Sequence, residues 1–472
     1  MNEKLNEALD HISDRHIAEA AAPKKRRVWL LPAAVAAVLA LAILVISLIS
    51  PLTPAPIPGV HSPLLLAAPV YPGLTQYDSM DRETWKAEQQ ALHNQPEGYA
   101  DSLDPYFAAI TNALLAETEG ENAACSPVNI YMALAMLAET TDGDSRQQIL
   151  ALLGATSIEE LRAQAGHVWR AHYNKNDVGP ATCILANSLW LNEEYNYNKE
   201  TVELLADEYY ASVFRGDLGS KEANQALRDW LNEQTGGLLQ EQTKNLKLDK
   251  QSTLALASTL YYQVHWKDFF REEKNTNATF YGVNRESTEE FMNRSLIQNP
   301  YYWGDNFSAV YLNLVGSSRM WLILPDEGVT PEELLTSGEA MTFLQQDLNA
   351  YENQKALLVN LSVPKFDISS NIELSQQLKT LGITDIFLPG TADLSPIIPA
   401  NDGSCVSQIK HAARVAIDEE GVTATAYTVI GAAGGAPRVP DDEIDFVLDR
   451  PFLFVIESQD GLPLFAGIVN QP

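Results

Sequence analysis

The sequence predicts a protein of the α+β class, in which mixed sheets pack against helices. Three observations lead to this prediction. Hydrophobic residues make up 46% of the 472 residues, which is ordinary for a globular protein and excludes disordered and fibrous classes for most of the chain. Runs typical of strands alternate with runs typical of helices along residues 101–472. No period of 20–50 residues recurs, which excludes a repeat architecture.

Three segments of this region carry helix signals. Ser126 and Pro127 precede a long apolar run, and they indicate a capped start because serine caps a first turn and proline suits the first helical position. Residues 227–239 have helical periodicity and contain a glycine pair that favours a helix end. Residues 373–382 show a shorter helical pattern.

Strand signals are more numerous than helix signals. The runs are rich in β-branched and aromatic residues and are bounded by turn-forming residues. They cover 183–191, 252–263, 308–315, 320–325, 356–368, 406–418 and 452–457.

The N-terminal part of the chain differs from the rest. Residues 28–50 are 23 residues without a charge, long enough to cross a bilayer, and four basic residues precede them. The positive-inside rule then predicts a cytoplasmic tail at 1–27, a membrane helix at 28–50 and everything after it outside, in a single-pass cell-membrane protein. A cleaved signal peptide, with secretion of the remainder, is the alternative.

A linker at 51–100 is expected to connect the membrane helix to a globular domain at 101–472. Residues 51–77 contain seven prolines and no Asp, Glu, Lys or Arg. Proline at this density favours extended chain, so the segment is typical of a semi-rigid stalk across a bacterial cell wall or periplasm.

The net charge restricts the partners of the protein. Lys and Arg number 32 against 62 Asp and Glu, which gives −30. Such acidity argues against nucleic acid, because little positive charge is available to replace the counterions on phosphates. It fits a soluble, self-repelling body, which we expect to be a monomer.

No motif in the sequence points to catalysis or to a bound cofactor. The GxSxG, HExxH, Walker and kinase signatures are all missing from the sequence. The three cysteines are Cys125, Cys183 and Cys405, and their spacing indicates neither a disulfide framework nor a zinc site. We therefore expect neither an enzyme nor a metal or cofactor site.

One segment near the C-terminus is unusual. Residues 421–436 carry no charge and no proline, and they alternate small, β-branched and aromatic residues before a glycine-rich end. In a strand, Val422, Ala424, Ala426 and Thr428 would share one face. The segment could form either a strand or a loop, and an ordinary hairpin is the alternative.

Several blocks of the globular part resemble the serpin family, between about residues 105 and 470. They are SPVNIYMALAML, ANSLWL, LASTLYYQVHW, VPKFDI, LKTLGITDIF, ADLSP, IKHAARVAIDEEGVTATA and DRPFLFVIESQDGLPLFAGIVNQP. The resemblance implies three β-sheets, eight or nine helices and an exposed reactive-centre loop. It also implies a suicide inhibitor: a serine protease cleaves the loop and forms an acyl-enzyme, and the freed segment then inserts into the large sheet as a new strand.

By the same resemblance, the residues after the strand at 406–418 form the hinge of the reactive loop. It comprises Glu419, Glu420, Gly421, Val422, Thr423, Ala424, Thr425 and Ala426. The side chains that would enter the sheet interior are small and uncharged, which favours an inhibitor over a non-inhibitory surface protein. Val422 and Thr423 depart from the family pattern, which usually has threonine or serine and then glutamate.

The reactive bond follows from two counts that disagree. Counting fourteen residues from Gly421 gives the bond between Gly435 and Ala436, and counting back from Phe446 gives Pro437 or Arg438. A small residue before the bond, Gly435 or Ala433, would suit elastase-like or subtilisin-like proteases. Arg438 would suit trypsin-like proteases, and this alternative stays open.

The resemblance implies two more clusters in the large sheet. The breach, at the top of the sheet, would consist of Trp266, Lys365 and Glu419, with the last two paired. The shutter, under its centre, would consist of Ser126, Asn129, Ser258 and His411. An asparagine and a serine appear exchanged between helix and strand relative to the family, so we expect Asn129, Ser258 and His411 to share one hydrogen-bonded cluster, directly or through a water.

Overall fold

The structure is a computed structural model. It describes residues 62, 64–72, 81–174, 181–244, 246–250, 252–400, 403–422 and 440–472. The chain divides into two units, 1–53 and 54–472, and all the described residues belong to the second.

The described part of the chain contains eleven α-helices. Seven have ten residues or more and four are short, so the count exceeds the expected eight or nine mainly through single-turn helices. They are α1 (Arg82–His93), α2 (Asp104–Leu115), α3 (Pro127–Glu139), α4 (Gly143–Leu153), α5 (Ile158–His172), α6 (Lys199–Glu208), α7 (Lys221–Gln234), α8 (Gln240–Thr243), α9 (Pro331–Thr336), α10 (Glu339–Leu344) and α11 (Ser375–Thr380).

Sixteen strands lie in the same ranges. They are β1 (Leu65–Ala67), β2 (Ala123–Cys125), β3 (Ala181–Asn192), β4 (Ala211–Gly216), β5 (Leu254–His265), β6 (Thr276–Tyr281), β7 (Glu286–Trp303), β8 (Phe307–Asn313), β9 (Arg319–Pro325), β10 (Gln354–Pro364), β11 (Phe366–Glu373), β12 (Gln408–Ile417), β13 (Gly421–Val422), β14 (Glu443–Val447), β15 (Phe452–Glu457) and β16 (Pro463–Val469).

Seven of these strands form one large sheet, which we call sheet A. Its order is β1-β4-β3-β5-β13-β12-β11, and β5 also pairs directly with β12. β3 and β5 are buried along most of their length, as expected for central strands covered on both faces. The long apolar runs at 183–191 and 252–263 therefore belong to neighbouring strands.

The other nine strands are linked in one continuous order, β14-β10-β7-β8-β9-β15-β16-β2, and β6 also pairs with β7. We divide this set at β7 into two sheets, one with β6, β7, β10 and β14 and the other with β8, β9, β15, β16 and β2. β7 joins the two because its last residues, Tyr302 and Trp303, pair with β8 while its middle pairs with β10. The expected three sheets are thus present.

Helix α3 is the central helix of the core. All thirteen of its residues are buried, which fits the apolar run that predicted it. The Ser126 side chain accepts a hydrogen bond from the Asn129 amide, so the predicted cap is present. α3 packs against both β5 and β16. The Ser126 amide donates to His411 of β12, so this end of the helix lies beside sheet A.

Two sequence predictions need correction in this region. The run 356–368 was predicted as one strand, but it forms β10 and β11, with Lys365 between them. β10 pairs with β7 and β14, whereas β11 pairs with β12 in sheet A, so the chain changes sheet at Lys365. The helix predicted within 227–239 starts earlier, at Lys221, whereas its end at Gln234 agrees with the glycine pair that was predicted to end it, since Gly236 adopts a positive φ of 59°.

Part of the predicted linker belongs to the folded body. Leu65 and Ala67 of β1 pair antiparallel with Phe214 and Val213 of β4, and so extend the edge of sheet A. An extended chain without a helix-forming pattern can add to a sheet edge in this way. α1 also lies inside the range 51–100 that was expected to be a linker.

The predicted single-pass membrane location is not supported and is withdrawn, together with the membrane as a partner. In the described ranges, no helix combines the length and the apolar character that a bilayer crossing needs. The longest of them, α5, has 15 residues and carries charged groups, whereas a span takes about 20 apolar residues. The tail 1–27 and the apolar segment 28–50 lie outside the described residues.

Candidate functional site

The hinge begins between the two central strands of sheet A. Residues 408–411 of β12 pair directly with 255–258 of β5, in parallel. Farther along, the two strands separate, and β13 occupies the space between them. Val422 is the register partner of both Val264 and Ile417, and it is 1% exposed. The first inward-facing residue of the predicted set is therefore already within the sheet.

Gly421 fits this position because it has no side chain. A Cβ atom built on Gly421 would lie 2.1 Å from the carbonyl oxygen of Val264. The backbones of β13 and β5 approach closely at this point, and any larger residue would force them apart. The glycine that was predicted from the resemblance thus has a local physical reason.

A turn at 418–421 leads from β12 into β13. The Asp418 carboxylate accepts hydrogen bonds from the amides of Glu420, at 2.8 Å, and Gly421, at 3.0 Å. An aspartate that bonds amides two and three residues ahead stabilises a tight turn. Asp418 was not singled out in the sequence, although an aspartate three residues before a glycine is a recognisable turn signal.

Trp266 holds this turn from the β5 side. Its indole N–H donates to the carbonyl oxygen of Asp418 at 2.8 Å, and its backbone amide donates to that of Glu420 at 2.9 Å. The amide of Phe270 donates to the carbonyl oxygen of Glu419 at 3.0 Å. Trp266 is 1% exposed, so these bonds are shielded from water. The residue lies where the breach was predicted.

The predicted pair of Lys365 and Glu419 is an ion pair in the structure. Lys365 Nζ lies 2.7 Å from Glu419 Oε1 and 2.9 Å from Glu290 Oε2. Asn275 donates to both carboxylates. Partial burial favours the neutral forms of Lys365 and Glu419. Their hydrogen bonds favour the charged forms and have the larger combined effect on both pKa values. The pKa of Glu419 is therefore lowered and that of Lys365 raised.

Glu290 and Asn275 were missed at the breach. Asn275 immediately precedes β6 and Glu290 lies in β7, so both are far from the hinge in sequence and meet it only in the folded chain. The pKa of Glu290 is lowered by its hydrogen bonds from Asn275 and Lys365. No local sequence signal distinguishes them from the many other polar surface residues of this acidic chain.

In the shutter, His411 contacts the start of α3. The Ser126 amide donates to His411 Nε2 at 3.0 Å, so this ring nitrogen is the acceptor. His411 is fully buried, and burial lowers the pKa of the ring to about 4. A neutral imidazole therefore links sheet A to the central helix.

Asn129 and Ser258 lie in the same region but do not complete a direct network. Ser258 is the register partner of His411 on one side and of Asn187 on the other. The side-chain amides of Asn129 and Asn187 are buried, and neither has a hydrogen-bond partner among the described residues. The exchange of asparagine and serine between helix and strand therefore remains a prediction. The sequence analysis did not identify Asn187 as a further polar residue of the shutter.

Most of the reactive loop lies outside the described residues. This applies to the hinge residues Thr423, Ala424, Thr425 and Ala426 and to the candidate reactive-bond residues Ala433, Gly435, Ala436, Pro437 and Arg438. Their roles remain predictions. In the ranges that the structure does describe, no group of three His, Cys, Asp or Glu side chains is arranged to hold a metal ion.

Several known proteins are similar to this chain in sequence or in structure. Serpin-Z2B of Triticum aestivum is 29% identical over 381 residues, which cover 75% of this chain and 91% of that protein. The leukocyte elastase inhibitor of Homo sapiens is 28% identical over 368 residues, covering 76% and 96%. The solved structure of the thermophilic serpin tengpin in the native state has a TM-score of 0.71 at 26% identity, covering 80% of this chain and 95% of that one.

A family profile also matches this chain. The family described as Serpin (serine protease inhibitor) matches residues 106–472, which is more than half of the chain. Its members are protease inhibitors rather than enzymes, in line with the names of the similar proteins. With sheet A and the breach arranged as described, this protein belongs to the serpin family.

Proposed function

We propose that the protein is an inhibitory serpin that traps serine proteases covalently after cleavage of its reactive loop. The observation that carries this proposal is the position of β13. Gly421 and Val422 already pair with β5, and Val422 also pairs with β12, so the hinge occupies the start of the path that an inserting strand would follow. Below it, the direct pairing of β5 with β12 among the described residues is the parallel one at 408–411.

If the register of β13 is continued along the chain, it gives the partners that each later residue would have after insertion. Continuing the antiparallel pairing from Val422 puts Ala424 opposite Tyr262 and Val415, and Ala426 opposite Leu260 and Ala413. These partners are buried. Small side chains at 424 and 426 would enter that interior with the least steric cost, which favours a working inhibitor over a mere substrate.

The same register reaches the shutter. Six residues beyond Val422 (428 − 422 = 6), Thr428 would lie between Ser258 and His411, which are direct partners before insertion. The incoming strand must therefore break the pairing of β5 with β12. In exchange it would satisfy the backbone groups of both strands along their length, and this gain drives the transition.

The target is proposed to be an elastase-like or subtilisin-like protease, because the alanine and glycine run at 431–436 offers small residues before the reactive bond. The human relative is named an elastase inhibitor. Cleavage after Arg438 by a trypsin-like protease is the competing assignment.

The test is incubation of the chain with pancreatic elastase, subtilisin and trypsin in turn, followed by denaturing gels. We expect an SDS-stable complex with one of the first two. Mass spectrometry of the small C-terminal fragment should give a first residue between 433 and 437. A fragment that begins at Val439 would identify Arg438 and a trypsin-like target, and cleavage without any complex would indicate a non-inhibitory serpin.

A further inference from the structure

The strands β5 and β12 separate over a short distance, which we call the fork. The last directly paired residues before the fork are Ser258 and His411. Six residues farther along both strands (264 − 258 = 6 and 417 − 411 = 6), Val264 and Ile417 are held apart by Val422. Insertion of a further strand would have to widen the fork, because one strand takes up about 4.8 Å of sheet width.

A turn at 235–239 lies over the fork, on the face of sheet A opposite to α3. It joins α7, which packs against β5, to α8, which packs against β11. Gly236 and Gly237 adopt positive φ angles of 59° and 83°, which glycine accepts without strain. The chain therefore turns sharply as it crosses above these strands.

The turn contacts both strands of the fork. Gly236 lies against the ring of Tyr261 in β5, since a Cβ atom built on the glycine would be 3.6 Å from Tyr261 Cζ. On the other strand, Arg414 Nη1 donates to the carbonyl oxygen of Leu238 at 3.1 Å. Tyr261 and Arg414 each come three residues after the last directly paired residue of their strand, so both lie halfway along the fork.

Asp367 of β11 fixes the orientation of the Arg414 guanidinium group. Arg414 Nε lies 2.8 Å from Asp367 Oδ1, and Nη2 lies 2.6 Å from Oδ2. Such a bidentate arrangement sets the plane of the guanidinium group, and Nη1 is the nitrogen that donates to Leu238. The Arg414 side chain is 27% exposed, so water competes only in part for these hydrogen bonds.

We propose that Arg414 is a positioning residue for strand insertion, and this inference rests on the function proposed above. If the register of β13 continues, residue 425 would lie between Tyr261 and Arg414, three residues on from the row of Val264, Val422 and Ile417. Once these strands move apart by the width of one strand, the turn cannot keep both its contact with Tyr261 and its bond to Arg414.

The bond between Arg414 and Leu238 is the contact that we expect to break, because α7 packs against β5 and holds the turn on that side. Arg414 therefore slows insertion and helps to keep sheet A in its unexpanded form.

The test is the uptake of a fluorescently labelled synthetic peptide with the sequence of residues 421–432 by the full chain. Native gels follow its incorporation with time, and no protease is needed. Arg414→Met keeps most of the aliphatic side chain but removes its donors. It should increase the rate of uptake at least fivefold, and Arg414→Gln serves the same purpose if Arg414→Met does not fold.

Two further variants separate the bond to the turn from the ion pairs between β12 and β11. Asp367→Asn removes one ion pair but leaves Arg414 able to donate to Leu238. Lys410→Met is the matched control, because Lys410 lies on the same face of β12 as Arg414 and its Nζ is 3.5 Å from Glu373 Oε2 of β11. Both variants should take up the peptide within twofold of the wild-type rate.

Urea unfolding should give similar midpoints for Arg414→Met and Lys410→Met, so that faster uptake by the first alone reports the bond to the turn rather than a general loss of stability. Equal uptake rates for the wild type and Arg414→Met would overturn this inference and leave the proposed function standing, since the peptide would still insert. Equal acceleration in Asp367→Asn or Lys410→Met would overturn it as well, because the ion pairs would then control the opening. If neither the wild type nor Arg414→Met takes up the peptide, insertion itself is refuted, and the proposed function fails with it.

Discussion

Lys365 Nζ lies 2.7 Å from Glu419 Oε1, and this ion pair joins the point where the chain enters sheet A to the turn that carries the hinge. Glu419 is 18% exposed and Lys365 is 31% exposed, so water screens the pair only in part. Near a surface such a pair contributes about 0–1 kcal/mol to equilibrium stability. Because the pair lies beside β13, we expect it to have a larger effect on the rate at which the sheet opens.

Glu419→Lys should therefore accelerate polymerisation on mild heating. The change places two cations together beside the hinge and removes one of the two carboxylates that accept from Asn275. The measurement is the growth of oligomers on native gels with time. Glu290→Lys is the matched control, because Glu290 also bonds Lys365 but does not lie on the hinge. Equal rates for the two variants would contradict a specific role of Glu419.

Because the His411 ring is buried, we expect the native form to lose stability in weak acid. Burial lowers its pKa from 6.5 to about 4, so the unfolded chain takes up a proton at a higher pH than the folded one. The stabilisation that the neutral ring contributes to the free energy of unfolding is complete above pH 6.5. It declines as the pH falls towards 4, by at most about 3 kcal/mol. Urea unfolding followed by tryptophan fluorescence at pH 7.5, 6.0 and 5.0 measures it. His411→Gln should flatten this dependence, and an unchanged slope would assign the effect to other groups.

Asn129 and Ser258 should be coupled through the shutter. We expect Asn129→Ser to destabilise the native form by about 1–3 kcal/mol, the cost of disturbing a buried polar group. Adding Ser258→Asn should recover most of the loss, because it restores an amide in the register row of Asn187 and His411. Urea unfolding of the two single variants and the double variant completes the cycle. Strictly additive effects would remove the case for an exchange of the two residues.

Tyr71→Ala should destabilise the native form through the segment that carries β1. The Tyr71 ring stacks on Tyr173, with ring centroids 5.4 Å apart, and lies 6.0 Å from both Trp169 and Tyr210. Loss of a half-buried aromatic side chain from such a stack should cost about 2 kcal/mol, measured as an earlier thermal transition. Val70→Ala alters a neighbour that is 81% exposed and should have little effect. A similar shift in both variants would mean that the segment is not docked through Tyr71.

Ala424→Arg should convert the proposed inhibitor into a substrate. If the register of β13 continues beyond Val422 during insertion, residue 424 would face the interior of sheet A, where a charged side chain would slow insertion until the acyl-enzyme hydrolyses. Thr425→Arg is the control on the opposite face, and it should retain the SDS-stable complex. The ratio of complex to cleaved chain on gels reports the result, and loss of the complex in both variants would argue against the proposed register.

The class of fold, most strands and the capped start of α3 could be predicted from sequence because each depends on local patterns. Residues 183–191 and 252–263 are apolar runs bounded by turns, and they form β3 and β5. The break at Lys365 could not be predicted, because a run of strand-forming residues does not show that its two halves pair in different sheets. The pair of Lys365 and Glu419 was predicted only through the resemblance of the surrounding motifs to a family.

By itself, the sequence determined the periodicity of the elements, the cap at Ser126, the uncharged segment after Gly421 and the excess of acidic residues. These depend on residues near each other in the chain. The tertiary structure decided that Val422 lies between Val264 and Ile417, that Glu290 and Asn275 join the breach, and that 65–67 extends the edge of sheet A. Each of these contacts joins distant segments, and pairing across a sheet depends on which edge is free once the core has packed, a property of the whole fold.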